Sequence, residues 1–441
     1  MENSVFDLEN LRKTYFKMAL PVVMGMVVSL VYNLADTYFI AQTMNTALIA
    51  GVSICSPVFT TLMAFGNIYG QGGSSLIARL LGQQDKDGIK HVSSFCFYIA
   101  IITGIVIGAL MLLFQTQILS MIGATSETME YAKQYYCVLS ACAPIVILSF
   151  IHSNLLRCEG MATQSMIATV TGTVVNIILD PIFISVFGWG AFGAAVATII
   201  GYIINVLICL YFVLKKSQFL SVSLKAWMVK AKEVKDILGV GIPAALTNLM
   251  QSLCVIVMNV YLVQYGSEKL AAMGIVLKVN MIPMLVLVGF AFGGVPLYGF
   301  LFGAKIKEKL NELIRFCLFF LGGLSVLFTI VVFFGAEGMI RFFLDNENIV
   351  ADGSVMLRWQ VAGTLFAAIV LQFSVLFQAS GQALPALIMS LSRQGVLFVV
   401  VIMILVSLFG YNGILMSQFV ADLVSAILGL ILYSRTLLKK E

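Results

Sequence analysis

Apolar stretches of twenty or more residues follow one another along almost the whole chain, and few folds tolerate them. A helix of roughly 20 apolar residues crosses a hydrocarbon core of about 30 Å, and inside that core every backbone polar group has to be satisfied within the structure. The sequence carries twelve such segments, at about 14–40, 47–79, 92–114, 131–156, 165–187, 191–214, 237–263, 270–302, 313–334, 354–378, 384–409 and 413–434. Composition agrees: 60% of the 441 residues are hydrophobic and 11% charged, against roughly 45–50% and about 25% in ordinary globular chains. The expectation is an all-α polytopic membrane protein with twelve transmembrane helices. Segments two and eight are too long for a straight crossing, so they should tilt or extend into water. The first segment is too long for a signal-peptide core and should stay on the mature chain.

Basic residues fix the expected orientation. With the N-terminus cytoplasmic, twenty of the 26 Lys and Arg flank cytoplasmic ends, and only Lys133, Lys269, Arg341 and Arg358 lie outside. Both termini are therefore expected in the cytoplasm. The net charge of +5 reads as a topology signal, and with no clustered basic domain it does not imply nucleic acid. The eight Cys form no C-x-x-C pair, and His91 and His152 are too few and too far apart for a metal cluster. No G-x-x-x-x-G-K-[ST] phosphate loop occurs, so any work done here needs a power source other than bound nucleotide. No paired His, Cys–His set or metal spacing marks an enzyme, and no cofactor is expected.

The chain is one unit written twice. At an offset of about 221–223 residues, "ALPVVMG" answers "GIPAALT", and "QGGSSLIARLLGQQ" (71–84) answers "FGGVPLYGFLFGAK" (292–305). "ALIAG" likewise answers "KLAAM", and "NLLRCEGMATQ" (154–164) answers "VLFQASGQALP" (375–385). Six segments per unit is an even number, so both copies insert the same way round, as two parallel six-helix repeats. The expected division is residues 1–214 as N-lobe, 215–236 as cytoplasmic linker and 237–441 as C-lobe. All eight Pro fall in or at the edges of the segments, where they bend or break helices.

Three acids lie well inside segments: Asp36, Asp180 and Asp422. A charge at mid-bilayer costs roughly 2.5–3.5 kcal/mol on insertion scales, so such residues face a cavity or a partner. Asn176 and Asp180 share one helix face a turn apart, as Tyr32 and Asp36 do, and Thr198 sits on the next segment. Carboxylate, amide and hydroxyl oxygens are hard donors that suit a proton or Na⁺. In the second half, Asn176 corresponds to Leu397 and Asp180 to Val401, so the fold does not require the acids. Lys278, Arg393 and Asp422 are expected as a buried structural pair or network. Glu159, beside Arg157 at a helix end, reads as a solvated residue.

On "YNLADTYFI", "LLRCEG", "NIILDPIFI" and the six-plus-six repeat, the chain resembles the multidrug and toxic compound extrusion (MATE) family. The resemblance is to the prokaryotic branch with its coupling acid in the first helix; the seventh segment, "NLMQSLCVIVMNVYLVQ", has no acid. It implies a V-shaped fold in a prokaryotic inner membrane and export of amphipathic, often cationic, drugs in exchange for H⁺ or Na⁺. It also implies ion coupling at Asp36, Asn176, Asp180 and Thr198, the positions that would hold Na⁺ if that is the ion. Candidate substrate contacts are Tyr32, Asp36 and Asn154. The partners expected are small-molecule drugs and the lipid bilayer, with the protein working as a monomer. The rival reading is a flippase of lipid-linked saccharides; such proteins tend to carry a cationic cleft, and this N-lobe is acidic.

Overall fold

A computed structural model describes residues 6–344 and 346–438, with the side chains of 437 and 438 excepted. Among the described residues, ten helices are long and apolar enough to cross a membrane, or twelve when two bent pairs are each taken as one span. No strand occurs among the described residues. Span 1 is Leu11–Ala41, span 2 Thr46–Gln83, span 3 Lys86–Leu113, span 5 Ala162–Val186 and span 6 Gly190–Lys215. Span 7 is Ala231–Tyr265, span 8 Ser267–Gly303, span 9 Lys307–Phe343, span 11 Ala383–Phe409 and span 12 Tyr411–Thr436. Span 4 is the pair Met129–Ala141 and Ala143–Cys158, bent by 56°, and span 10 is Glu347–Ala362 and Thr364–Ala379, bent by 41°.

The two long segments resolve the length problem by breaking: span 2 at Cys55 and span 8 at Gly294, each followed by Pro in the first helical turn. Proline is tolerated there because the first-turn N–H has no helical acceptor anyway. The bends of spans 4 and 10 fall at Cys142 and Gly363, which are 221 residues apart. Pro144 follows the first bend, while Leu365 stands at the matching place after the second. The repeat thus keeps the bend without keeping the proline.

The halves meet along two related seams, span 2 against span 7 and span 1 against span 8. Both rest on glycine. A Cβ on Gly241 would lie 2.7 Å from the Ile68 carbonyl carbon, and one on Gly72 2.9 Å from that of Ile237. Gly289 likewise packs on Val23, Gly293 on Ala19, and Gly303 on Arg79. Tyr15 donates its hydroxyl to the Phe290 carbonyl at 2.8 Å across the same junction. All of these lie toward the side that carries the ends of the described chain. On the opposite side the lobes part: Asn33, Thr37, Thr61, Gln251, Ser252 and Lys278 are exposed polar residues within spans 1, 2, 7 and 8. Polar side chains exposed inside apolar spans mark a water-filled cleft. The result is a V open on one side.

The connection between halves is shorter than residues 215–236, because span 7 already begins at Ala231. Its first part is strapped to the N-lobe. Ser93 and Ser94 donate to the Ser221 carbonyl, and Tyr98 donates to that of Val222. Glu159 is the buckle, accepting from the Ser217 hydroxyl and from the Gln218 and Phe219 amides. This corrects the solvated reading of Glu159, which is 8% exposed. Burial pushes its carboxyl above the usual carboxylate range, while those donors pull it back.

Candidate functional site

Asp180 is fully buried, and Asn176 and Thr198 are 3% exposed. Their meeting depends on the crossing of spans 5 and 6, where Gly172 and Gly201 touch backbone to backbone. A Cβ on Gly201 would sit 2.8 Å from the Gly172 carbonyl oxygen and 3.1 Å from the Asn176 Cβ. Only residues without side chains allow that approach. One turn beyond Asn176, the Asn176 amide donates to Asp180 Oδ1 at 3.4 Å. Pro181 then removes a helical N–H, leaving the Ile177 carbonyl without its helical donor. The chain continues as a π-helical turn over Ile182–Val186, a wide turn that recurs at functional sites.

Span 1 closes the site from the cleft side. The Tyr32 hydroxyl lies 3.4 Å from Thr198 Oγ1, and Asp36, a turn away, is near enough to act electrostatically on Asp180. Tyr135 and Tyr202 also stand within electrostatic reach of Asp36. Neither carries a charge that sequence reading looks for; their signal is a phenol within an apolar span. No Lys or Arg comes within ion-pair distance of Asp36 or Asp180 among the described residues.

Three buried oxygens in this site have no hydrogen-bond donor among the described residues: Asp36 Oδ1, Asn176 Oδ1 and Asp180 Oδ2. Buried acceptors are almost always satisfied, and an uncompensated carboxylate is costlier than a neutral acceptor. Chemically, the arrangement asks for a positive charge, delivered either as protons on the carboxyls or as a small hard cation held by oxygens. Asn154 lies apart from this cluster: it donates to the Phe150 carbonyl at 2.6 Å and lines a small cavity at the closed seam.

The second lobe handles the equivalent place differently. Val401 and Leu397, which occupy the positions of Asp180 and Asn176, pack into an apolar cluster. At the positions 221 residues beyond Gly172 and Gly201 stand Arg393 and Asp422. Arg393 Nε donates to Asp422 Oδ1 at 2.9 Å, and Gln418 donates to the same oxygen at 2.9 Å. A glycine contact in one lobe is an ion pair in the other. Helix structure breaks at Arg393–Gly395 to seat it. Lys278 is exposed and makes no ion pair among the described residues.

Comparison with known proteins agrees with this architecture. The chain matches the MatE family profile over residues 21–182 and 243–429, one stretch in each half. It is 31% identical over 427 residues to the multidrug export protein MepA of Staphylococcus aureus, covering 97% of this chain and 94% of the relative. The MepA of Staphylococcus haemolyticus is 31% identical over 430 residues, covering 97% and 95%. A crystal structure of MATE in the bent conformation superposes with a TM-score of 0.89 at 27% identity, covering 96% of this chain and 94% of that one. A structure of MATE in the straight conformation gives 0.91 at 27% identity, covering 98% and 97%.

Proposed function

Because the chain belongs to the MatE family of multi-pass membrane transporters, which are not enzymes, we propose that it exports amphipathic, often cationic, drugs in exchange for H⁺ or Na⁺. The three donorless oxygens of Asp36, Asn176 and Asp180 carry this reading. A bound proton or Na⁺ neutralises them, and a drug cation in the adjoining cleft competes for the same charge. Thr198 supplies the fourth oxygen and Tyr32 the edge between ion site and cleft. The names of the relatives, multidrug export proteins, support the substrate class.

The closed seam lies on the cytoplasmic side in this reading, with both termini, so the V opens outward. The two lobes, up to about residue 214 and from about residue 237, rock about the seam and the connection between them. The protein sits in the inner membrane of a prokaryote and works as a monomer. A flippase of lipid-linked saccharide is the weaker reading, because the site is acidic and an anionic head group would be repelled from it.

Efflux of a fluorescent cation from vesicles, with pH and Na⁺ gradients imposed separately, tests the proposal. Asp36→Asn keeps size and removes the titratable charge, so gradient-driven export should collapse with the protein still folded. Normal drug resistance in cells carrying that variant would overturn it.

A further inference from the structure

The seam carries a second charge that nothing nearby answers. A cavity of about 20 Å³ lies between the lobes, faced by Gln71, Ser74, Ser75 and Arg157 from the N-lobe. From the C-lobe it is faced by Phe292, Val295, Pro296 and Gln378, each 221 residues beyond one of those four. Equivalent positions of the two repeats therefore converge here. The cavity straddles the pseudo-two-fold relation, polar on one side and largely apolar on the other.

Arg157 is the one ionic residue in its lining among the described residues. Its Nε donates to Ser165 Oγ at 3.3 Å, and Ser165 in turn donates to the Ser153 carbonyl, which holds the guanidinium in place. No carboxylate lies within ion-pair distance of Arg157 among the described residues. Glu159, two residues on, is taken by the linker strap, and Asp236 faces Arg79 at 4.0 Å. The two serine hydroxyls are spent on the Gln71 and Gln378 carbonyls. The half-buried Arg157 thus lines a small cavity with no carboxylate beside it among the described residues.

When the lobes separate at this seam, water solvates Arg157. When they close, the half-buried Arg157 loses part of its water, and a poorly hydrated charge without a partner is unfavourable. Water in the cavity satisfies N–H groups but leaves the charge in place. A volume of this size holds about one water-sized body, which also fits a monatomic anion. We propose that the cavity is a chloride site, and that its occupancy favours the state in which the lobes meet at this seam. The inference rests on the rocking of the lobes proposed above, and assigns a co-ligand to one of its two states.

The test uses the purified full-length protein in lipid nanodiscs, without drug or ion gradient. Spin labels across the open side of the V report the populations in chloride and in gluconate at equal ionic strength and pH. A ligand at tenfold its dissociation constant that binds only one state shifts a two-state equilibrium by about tenfold, so the V-open population ratio should fall by that factor in gluconate. Crystals grown in bromide should show an anomalous peak beside the Arg157 guanidinium. Arg157→Gln, the residue type already present at Gln378, should lose the halide response. Arg157→Lys should keep it with weaker affinity, and serves if the glutamine variant does not fold. Equal populations in both salts, or water alone in the cavity of bromide crystals, would overturn the site. Neither result bears on the export reading, which the Asp36→Asn experiment decides by itself.

Discussion

Replacing Gly241 by alanine should tip the transporter away from the state described here. The new methyl carbon would lie 2.7 Å from the Ile68 carbonyl carbon and 2.8 Å from its Cα, and closer still to the carbonyl oxygen. Backbone cannot swing aside as a side-chain tip can, so spans 2 and 7 must separate by roughly 0.7 Å to bring the carbonyl carbon alone to 3.4 Å, and by more for the oxygen. A gap of that size forfeits about a quarter to a half of the dispersion attraction between the facing atoms. Overpacking of this kind typically costs about 1–3 kcal/mol. The clash exists only where the seam is closed, so the cost falls on one state of the equilibrium. A bias of 1–3 kcal/mol is roughly 5- to 150-fold in population. Distance measurements between spin labels at positions 127 and 268, in a background with Cys137 and Cys142 replaced by serine, should show the short distance gaining by that factor. Gly323→Ala is the control, since nothing lies within 4 Å of a Cβ there. An unchanged distribution in folded Gly241→Ala protein would refute the assignment of this contact as the closing surface.

The ion pair of the second lobe should behave as structure. Asp422→Asn leaves Arg393 buried without its charge partner and should lower stability by about 3–5 kcal/mol, whereas Arg393→Met with Asp422→Leu should recover most of it; thermal unfolding in detergent checks both, and a harmless Asp422→Asn would point to a role in transport. Glu159→Gln weakens the buckle of the linker strap, so limited proteolysis should cut residues 217–223 faster while export persists. At the N-terminal turn, the Asn10 amide and side chain, with the Glu9 amide, hold the Asp7 carboxyl below the usual carboxylate range. A depressed folded pKa means this local stabilisation is present above about pH 4 and lost as pH falls through the folded value; hydrogen exchange at Glu9 and Asn10 should lose protection only in that acid window. One ion entering per monovalent drug cation leaving moves no net charge, so a membrane potential alone should drive no accumulation in proteoliposomes. Potential-driven uptake would demand that Asp36 and Asp180 each carry an ion.

The spans, the duplication and the acids were legible because each leaves a local mark: twenty apolar residues, a recurring phrase, a carboxylate where lipid should be. Asn176 and Asp180 could be placed on one face because helical spacing alone decides it. What makes the site, however, is that Gly172 and Gly201 let two backbones touch, and a glycine in a sequence does not say what approaches it. The same holds at the seam, where "QGGSS" read as a sign of repetition and is also a contact surface. Glu159 was misjudged because its partners are backbone amides of a loop nearly sixty residues away, which no composition signals. Arg393 and Asp422 were each conspicuous, but their pairing needed the span 11 break to bring them to 2.9 Å. Tyr135 and Tyr202 went unread since a phenol is at home in an apolar helix until an acid stands beside it.

The strap that binds residues 217–222 to the N-lobe, with the Leu224–Ala226 turn resting on span 3, leaves at most Ser223 to Lys230 as cord between the halves. Eight residues reach at most roughly 26–29 Å when fully extended. A cord that short confines each half to a small volume around the other, an effective concentration in the millimolar range. Every opening of the seam is then followed by re-encounter with the same partner surface in a workable orientation. Severing the cord would turn each closing into a search by two bodies diffusing in the plane of the bilayer, and the turnover of the severed protein would depend on how densely it is packed there.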